Sequence, residues 1–165
     1  RERKMTMFRK MRRFKQQLTA EECVAILKRE KRGVLSVIGD DGYPYGMPLD
    51  HYYDEASGKL YFHCAKAGHK LDAIRACDKV SYCITGEGSH EDGVEWSLTF
   101  RSVIVFGRMH VLEDEEASLR LARLLGEKFT DDAAYLDNEV KHAGPRMLML
   151  ELTPEHITGK RVNES

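Results

Sequence analysis

The sequence predicts a mainly β fold: a small six-stranded antiparallel barrel with α-helices as appendages at its edges. Runs of β-type residues are joined by short connections, and short connections favour antiparallel pairing. These runs span residues 33–39, 45–54, 60–66, 79–85, 96–112 and 147–152. Strands and helices do not alternate along the chain, so a parallel sheet of the Rossmann or flavodoxin type is not expected.

The first part of the chain is predicted to be a helix followed by a three-stranded meander. Thr19 and Glu22 have the spacing of a capping box, which begins a helix. One apolar helix face follows, formed by Cys23, Ile26 and Leu27. We expect this helix to end near Gly33. The turn-forming residues at 40–42 and 55–59 then predict the two connections of the meander.

The second part is predicted to carry three helices between its strands. A short helix is expected over residues 68–76, a longer one over 115–129 and a weaker one over 131–142. Residues 86–95 are polar and rich in turn formers, which predicts a loop. The last strand is expected to stop shortly before Pro154, because proline cannot donate to a strand ladder.

Length and composition bound the class of protein. A chain of 165 residues with 42% hydrophobic and 32% charged residues predicts one soluble domain with a real core. The net charge of -1 provides no overall field that would attract nucleic acid or a membrane. No apolar run approaches the roughly 20 residues that cross a bilayer. The four cysteines form no C-x-x-C pair, so a cytoplasmic location with free thiols is expected.

Residues 1–17 form a basic arm ahead of a single domain at 18–165. The first fifteen residues hold eight lysines and arginines against the single acid Glu2. We interpret the arm as solvated or as embracing a partner. The alternative is a barrel that binds nucleic acid through the arm. Phe8 and Phe14 are its only aromatic residues, too few for a base-stacking platform, so no nucleic-acid partner is predicted.

The stretch HCAKAGHK, residues 63–70, contains two histidines, one cysteine and two lysines within eight residues. His63 and Cys64 are neighbours in a predicted strand, so their side chains point to opposite faces and cannot both ligate one ion. No metal site is therefore predicted. A thiol in a strand is usually inert core, which also argues against Cys64 as a nucleophile.

An anion site fits the second half of this stretch better. Gly68 makes a tight turn before a helix that begins near His69, and the first amides of a helix lack partners inside it. Lys70 adds a full charge and His69 a hydrogen bond. The alternative is an ordinary capped helix whose Lys70 and His69 are solvated, and the motif alone leaves both open.

Four segments together resemble a known family. They read GVLSVIGDDGYPYGMPLDHYYD, KLYFHCAKAGHKLDAIRACDKVSYCI, FRSVIVFGRMHVLED and HITGKR. In their order and spacing, from about residue 12 to residue 162, they resemble the nitroimidazole-resistance branch of the pyridoxamine 5'-phosphate oxidase-like, FMN-binding split-barrel family. The resemblance implies a six-stranded split barrel that forms a homodimer with FMN at the interface. It also implies an oxidoreductase that reduces small nitroaromatic, 5-nitroimidazole-like acceptors.

The resemblance further implies which residues contact FMN. The cofactor-binding residues would be Met47, Pro48, Leu49, Asp50, Phe62, His63, Cys64, Ala65, Gly68, His69, Lys70, Ser102, Val103 and Lys160. Residues 47–50 would meet the flavin ring through their backbone, and His69 and Lys70 would hold the phosphate. His63 would be the catalytic residue that faces the substrate, with His51 as the second candidate.

One departure from the family narrows the predicted activity. Pyridoxamine phosphate oxidases resemble one another in an R-x-x-L-x-K strand, and here that strand reads MPLDHY at residues 47–52. Without its Arg and Lys, the reaction on pyridoxamine phosphate is not predicted. The remaining alternative is a non-catalytic module of the same fold that binds or senses a flavin, a deazaflavin or haem.

Overall fold

The computed structural model describes residues 8–91 and 93–164, apart from the side chains of Glu91, Glu95 and Glu164. Its strands are β1 (Arg32–Ile38), β2 (Pro44–Asp50), β3 (Tyr52–Asp54), β4 (Lys59–Ala65), β5 (Lys79–Thr85), β6 (Ser89–Glu91), β7 (Val94–Leu112) and β8 (Met147–Glu164). Its helices are α1 (Ala20–Arg29), α2 (His69–Ala76), α3 (Glu115–Glu127) and α4 (Ala133–Ala143). The strands form one eight-stranded antiparallel sheet in the order β2-β1-β5-β7-β8-β4-β3, with β6 paired to β7. The predicted class, mainly β with helical appendages, is confirmed, with eight strands in place of six.

The main core lies on one face of the sheet and follows the alternation of each strand, and a smaller buried cluster of Tyr61, Leu121 and Met149 lies on the other face. In β1, Leu35 and Val37 are buried while Val34 and Ile38 are exposed on the opposite face. Central strands contribute side chains with no exposed area, among them Tyr82, Ile84, Val103, Val105, Leu150 and Leu152. Burying such side chains supplies the main driving force for folding.

Helix α1 begins as the sequence predicts. The Glu22 amide donates to Thr19 Oγ1 at 3.2 Å, and the Thr19 amide donates to Glu22 Oε2 at 2.8 Å. The helix buries Cys23, Ile26 and Leu27 against the sheet. It ends at Arg29 rather than near Gly33, because Gly33 is paired with Leu49 in the β1–β2 ladder.

Two strand predictions and one loop prediction are wrong in their limits. The run 45–54 is divided at His51, whose amide donates to Lys31 O and whose ring is buried. The predicted loop 86–95 contains the short strand β6 and the start of β7. Strand β8 continues through Pro154 to Glu164, because Pro154 sits at a bulge where the β7–β8 register shifts and a missing N–H costs little.

The described part of the basic arm lies against the sheet. The Phe8 ring stacks on those of Phe106 and His156, and Gln17 forms a bridge with Lys160 of β8. Residues 1–7 of the predicted arm lie outside the described residues. Within the described chain, no helix is long and apolar enough to cross a membrane.

Candidate functional site

Side chains of β4 alternate between the buried core and the exposed outer face of the sheet. Phe62 and Cys64 point into the core, with 0% and 7% of their surface exposed, while His63 and Ala65 are exposed on the outer face. Burial raises the pKa of the Cys64 thiol, and the nearby positive charges of Lys70 and Arg75 oppose this only in part. Cys64 is therefore a poor nucleophile, and only the backbone of Phe62 and Cys64 is available to a ligand.

His63 borders a pocket of about 270 Å³ beneath α3 and α4. The pocket exists because α3 packs on the outer face of β4 and β8, where Leu121 contacts Tyr61 and Met149. Its walls are mostly apolar and are formed by Ala122, Leu125, Gly126, Phe129, Leu136, Val140, Ala143, Gly144 and Met147. The polar groups at its edge are Asp50, His63, Thr130, Tyr135 and Glu139. Two residues predicted from the sequence, Asp50 and His63, thus meet in one cavity.

Asp50 is held in place from the other side. The Arg32 guanidinium donates to both of its carboxylate oxygens, Nε to Oδ1 at 2.6 Å and Nη2 to Oδ2 at 3.2 Å. Arg32 and Asp50 are also directly paired in the β1–β2 ladder. The carboxylate therefore has a fixed orientation at the mouth of the pocket.

The turn before α2 has the geometry expected of a helix that begins at a glycine. Gly68 has φ 139°, which only glycine adopts readily, and no side chain caps the first amides of α2. The His69 ring stacks on Tyr45 at 4.3 Å, and its Nε2 lies 3.6 Å from Asp40 Oδ2. An anion at this helix end would meet Lys70 and His69, but it would also compete with Asp40 for the imidazole.

Strand β2 is placed to contact a ligand through its backbone rather than through its side chains. Met47 and Leu49 pack against the core, and Pro48 faces outward. Because β2 is the first strand in the sheet order, only its β1 side has a strand partner. The free edge is consistent with the expectation that this segment would contact a ligand through its main chain.

Ser102, Val103 and Lys160 lie elsewhere on the sheet. Val103 is fully buried, while Ser102 and Lys160 are paired across β7 and β8 and border a pocket of about 560 Å³ on the outer face. Strands β1 and β5 separate β7 from β2, which corresponds to three strand spacings or about 14 Å. Within one chain, the predicted cofactor residues therefore fall into two groups.

His51 is inaccessible to a substrate in this structure. Its ring has no exposed area, its Nε2 lies 2.7 Å from Leu27 O and its Nδ1 lies 2.9 Å from Tyr82 Oη. Because a carbonyl can only accept, a neutral His51 carries its proton on Nε2 and accepts at Nδ1. The single Tyr82 hydroxyl proton is then shared between His51 and Leu49 O, which lies 2.7 Å away.

Burial gives this histidine an unusual pKa. Desolvation, followed by the positive charge of Lys128, lowers the pKa of His51 to about 4. The Lys128 ammonium donates to His51 O at 2.8 Å, and burial lowers its own pKa to about 8. The network thus fixes the neutral ring beside the strand that carries residues 47–50.

Several pocket residues could not be identified from the sequence. Phe129, Tyr135 and Glu139 reach the His63 pocket only because α3 and α4 fold back over β4, and no motif marks them. The outer-face pocket forms only because residues of the arm lie over β7 and β8, and its lining includes the predicted residues Ser102 and Lys160. Among the described residues, no group of three or more His, Cys, Asp or Glu side chains is placed to hold a metal ion.

Comparisons with known proteins agree with this architecture. The family model described as pyridoxamine 5'-phosphate oxidase matches residues 19–161, and the chain belongs to this family. No match was found among curated proteins.

Three solved structures illustrate the fold. A proposed 5-nitroimidazole antibiotic resistance protein of Bacteroides thetaiotaomicron is 18% identical, with a TM-score of 0.72 over 88% of this chain and 85% of that one. An FAD-binding protein of Mesorhizobium loti is 25% identical, with a TM-score of 0.60 over 88% and 96%. An FAD- and haem-binding protein of Mycobacterium smegmatis is 16% identical, with a TM-score of 0.68 over 88% and 72%.

Proposed function

We propose that the chain is an FMN-dependent oxidoreductase that reduces small nitroaromatic, 5-nitroimidazole-like acceptors. The observation that carries this proposal is the position of His63, an exposed imidazole at the edge of an apolar pocket. The walls suit a planar aromatic ring, while His63 and Asp50 supply polar groups at one end. Flavin binding by the Mesorhizobium loti relative and the proposed resistance role of the Bacteroides relative support the same choice.

Each residue would have a separate task. Once reduced by an external electron donor, FMN would supply two electrons and one proton to the acceptor. Reducing a nitro group to a nitroso group also consumes two protons and releases water, and an imidazole is suited to donating a proton near neutral pH. His63 would orient the nitro group and donate one of these protons. Asp50, held by Arg32, would provide a second polar group at the same end of the pocket.

The phosphate of FMN would lie at the start of α2. Gly68 leaves space for close approach, the free amides of α2 point outward, and Lys70 provides a positive charge. Lys70 itself is half-buried, so its side chain is not fully extended into solvent. The backbone of residues 47–50 would meet the ring edge.

A second copy of the chain would complete the cofactor site. The two groups of predicted residues are too far apart on one sheet to share one flavin ring, so Ser102 and Lys160 would come from the partner. The outer sheet face is suited to such contact, because four apolar side chains there are 37–45% exposed: Val34, Ile38, Ile104 and Phe106. We therefore propose a homodimer, and a monomer by light scattering of the flavin-loaded protein would contradict it.

Flavin absorbance of the purified protein, or quenching of FMN fluorescence on titration, tests cofactor binding directly. Lys70→Ala should weaken FMN binding by about 10-fold or more, as expected for a lost charge-assisted hydrogen bond. Lys66→Ala, an exposed lysine on the same connection, is the matched control and should leave affinity unchanged. Equal effects of the two substitutions would refute the phosphate assignment.

Catalysis is tested separately with His63→Gln. This variant should still bind FMN, because His69, Lys70 and the backbone of residues 47–50 would hold most of the cofactor. It should lose at least about 100-fold in nitroaromatic turnover with a chemical reductant, as for a removed proton donor. The alternative is a carrier or sensor, and one observation favours it: the His63 imidazole makes no hydrogen bond to another described residue and is free to ligate haem iron. A Soret band that His63→Gln abolishes, without nitro reduction, would establish this alternative.

A further inference from the structure

The charged side chains that border the His63 pocket have one sign. Asp50 and Glu139 are its acidic lining residues, and the described residues that line it include no lysine or arginine. The other polar groups are the His63 imidazole and the hydroxyl groups of Thr130 and Tyr135. Because carboxylates are ionised near neutral pH, the polar edge of the pocket carries negative charge.

The two carboxylates differ in how far their charge is already compensated. Asp50 accepts two hydrogen bonds from the Arg32 guanidinium. Glu139 lies on α4, is exposed, and has no lysine, arginine or histidine nitrogen within 4.0 Å in the described part of the chain. By contrast, Asp137 of the same helix lies 3.3 Å from Arg123 Nη1. Glu139 is therefore the pocket carboxylate whose charge is available to a ligand.

Two aromatic rings at the pocket also favour a cation. Phe129 and Tyr135 line the pocket and are 47% and 54% exposed. The faces of such rings attract positive charge. Phe129 already makes a contact of this kind, because Lys31 Nζ, which is not part of the pocket lining, lies 5.3 Å from its ring centroid. The pocket thus combines a carboxylate and aromatic rings with apolar walls that suit a planar ligand.

We infer that the His63 pocket selects aromatic compounds that carry a positive charge, such as a protonated amine, over those that carry a carboxylate. The aromatic ring would lie against the apolar walls, and the cationic group would lie at Glu139. The volume of about 270 Å³ limits the ligand to about one ring with short substituents. The substrate class named in this way rests on the proposed function, whereas binding of the cation to the pocket does not.

Redox-inactive probes test the charge preference without catalysis. In NMR titrations of the full chain saturated with FMN, at low salt and near neutral pH, benzylamine should bind at least about 5-fold more tightly than benzoate and shift the His63 ring signals. Glu139→Gln should reduce this ratio by at least about 3-fold, because the amide has the same shape without the charge. Asp137→Asn removes a charge from the same helix outside the pocket lining, so it is the control and should leave the ratio unchanged.

Turnover of matched nitro compounds tests the substrate class. The value of kcat/KM for para-nitrobenzylamine should exceed that for para-nitrobenzoate by at least about 5-fold, mainly through KM, and Glu139→Gln should reduce the difference. Equal binding of benzylamine and benzoate, or equal effects of Glu139→Gln and Asp137→Asn, would overturn the inference and leave flavin-dependent nitro reduction standing. Absence of nitro reduction with benzylamine binding that depends on Glu139 would overturn the proposed function and leave the cation site standing.

Discussion

The buried His51 makes the stability of the fold sensitive to mild acid. Its pKa is about 4 in the folded chain and 6.5 as a free side chain, so protonation favours the unfolded state. The contribution of neutral His51 is fully present well above pH 6.5 and is lost as the pH falls toward 4. At 1.36 kcal/mol per pKa unit, the complete loss is about 3 kcal/mol, of which about 1 kcal/mol falls between pH 7 and 5.5.

Urea unfolding of the flavin-free protein at pH 7 and at pH 5.5 measures this loss, because carboxylates titrate mainly below this range. His51→Gln is the matched variant, since its amide can still donate to Leu27 O. We expect it to be less stable at pH 7 by about 1–2 kcal/mol, through the lost bond to Tyr82. It should also lose the His51 part of the pH dependence. An equal fall in stability for parent and variant between the two pH values would refute the assignment.

Two backbone predictions follow from local geometry. Gly107→Ala places a methyl group against the Thr153 carbonyl and should lower the free energy of unfolding by about 1–3 kcal/mol. Gly46→Ala is the control and should be nearly neutral, because the nearest atom to its added methyl group lies 3.5 Å away. Equal losses of stability for the two variants in urea unfolding would contradict this prediction. Thr19→Ala removes the bond from the Glu22 amide and should cost about 1 kcal/mol. An unchanged unfolding midpoint would show that the capping box contributes nothing to stability.

Local features were predictable from the sequence because their causes are local. The capping box at Thr19, the alternation that separates His63 from Cys64 and the turn at Gly68 each depend on a few neighbouring residues. Strand β5 was predicted with the limits it has, Lys79–Thr85, because its alternation is uninterrupted.

The remaining features depend on distant parts of the chain. Pro154 ends a strand in most settings, but here a bulge against Gly107 accommodates it, and that bulge cannot be inferred from β8 alone. The burial of His51 depends on contacts with Leu27 and Tyr82, which lie 24 and 31 residues away. The walls of the His63 pocket likewise arise only when α3 and α4 pack on β4.

The position of β8 in the sheet has a kinetic consequence. It is the last strand along the described chain, yet it lies between β7 and β4, and the paired residues Phe62 and Leu150 are separated by more than half the length of the chain. Pairing such distant strands reduces the conformational entropy of the chain before the stabilising contacts form, which slows folding. Without Met147–Glu164, the edges of β4 and β7 that pair with β8 have no partner, so a truncated chain is expected to aggregate more readily than the complete one.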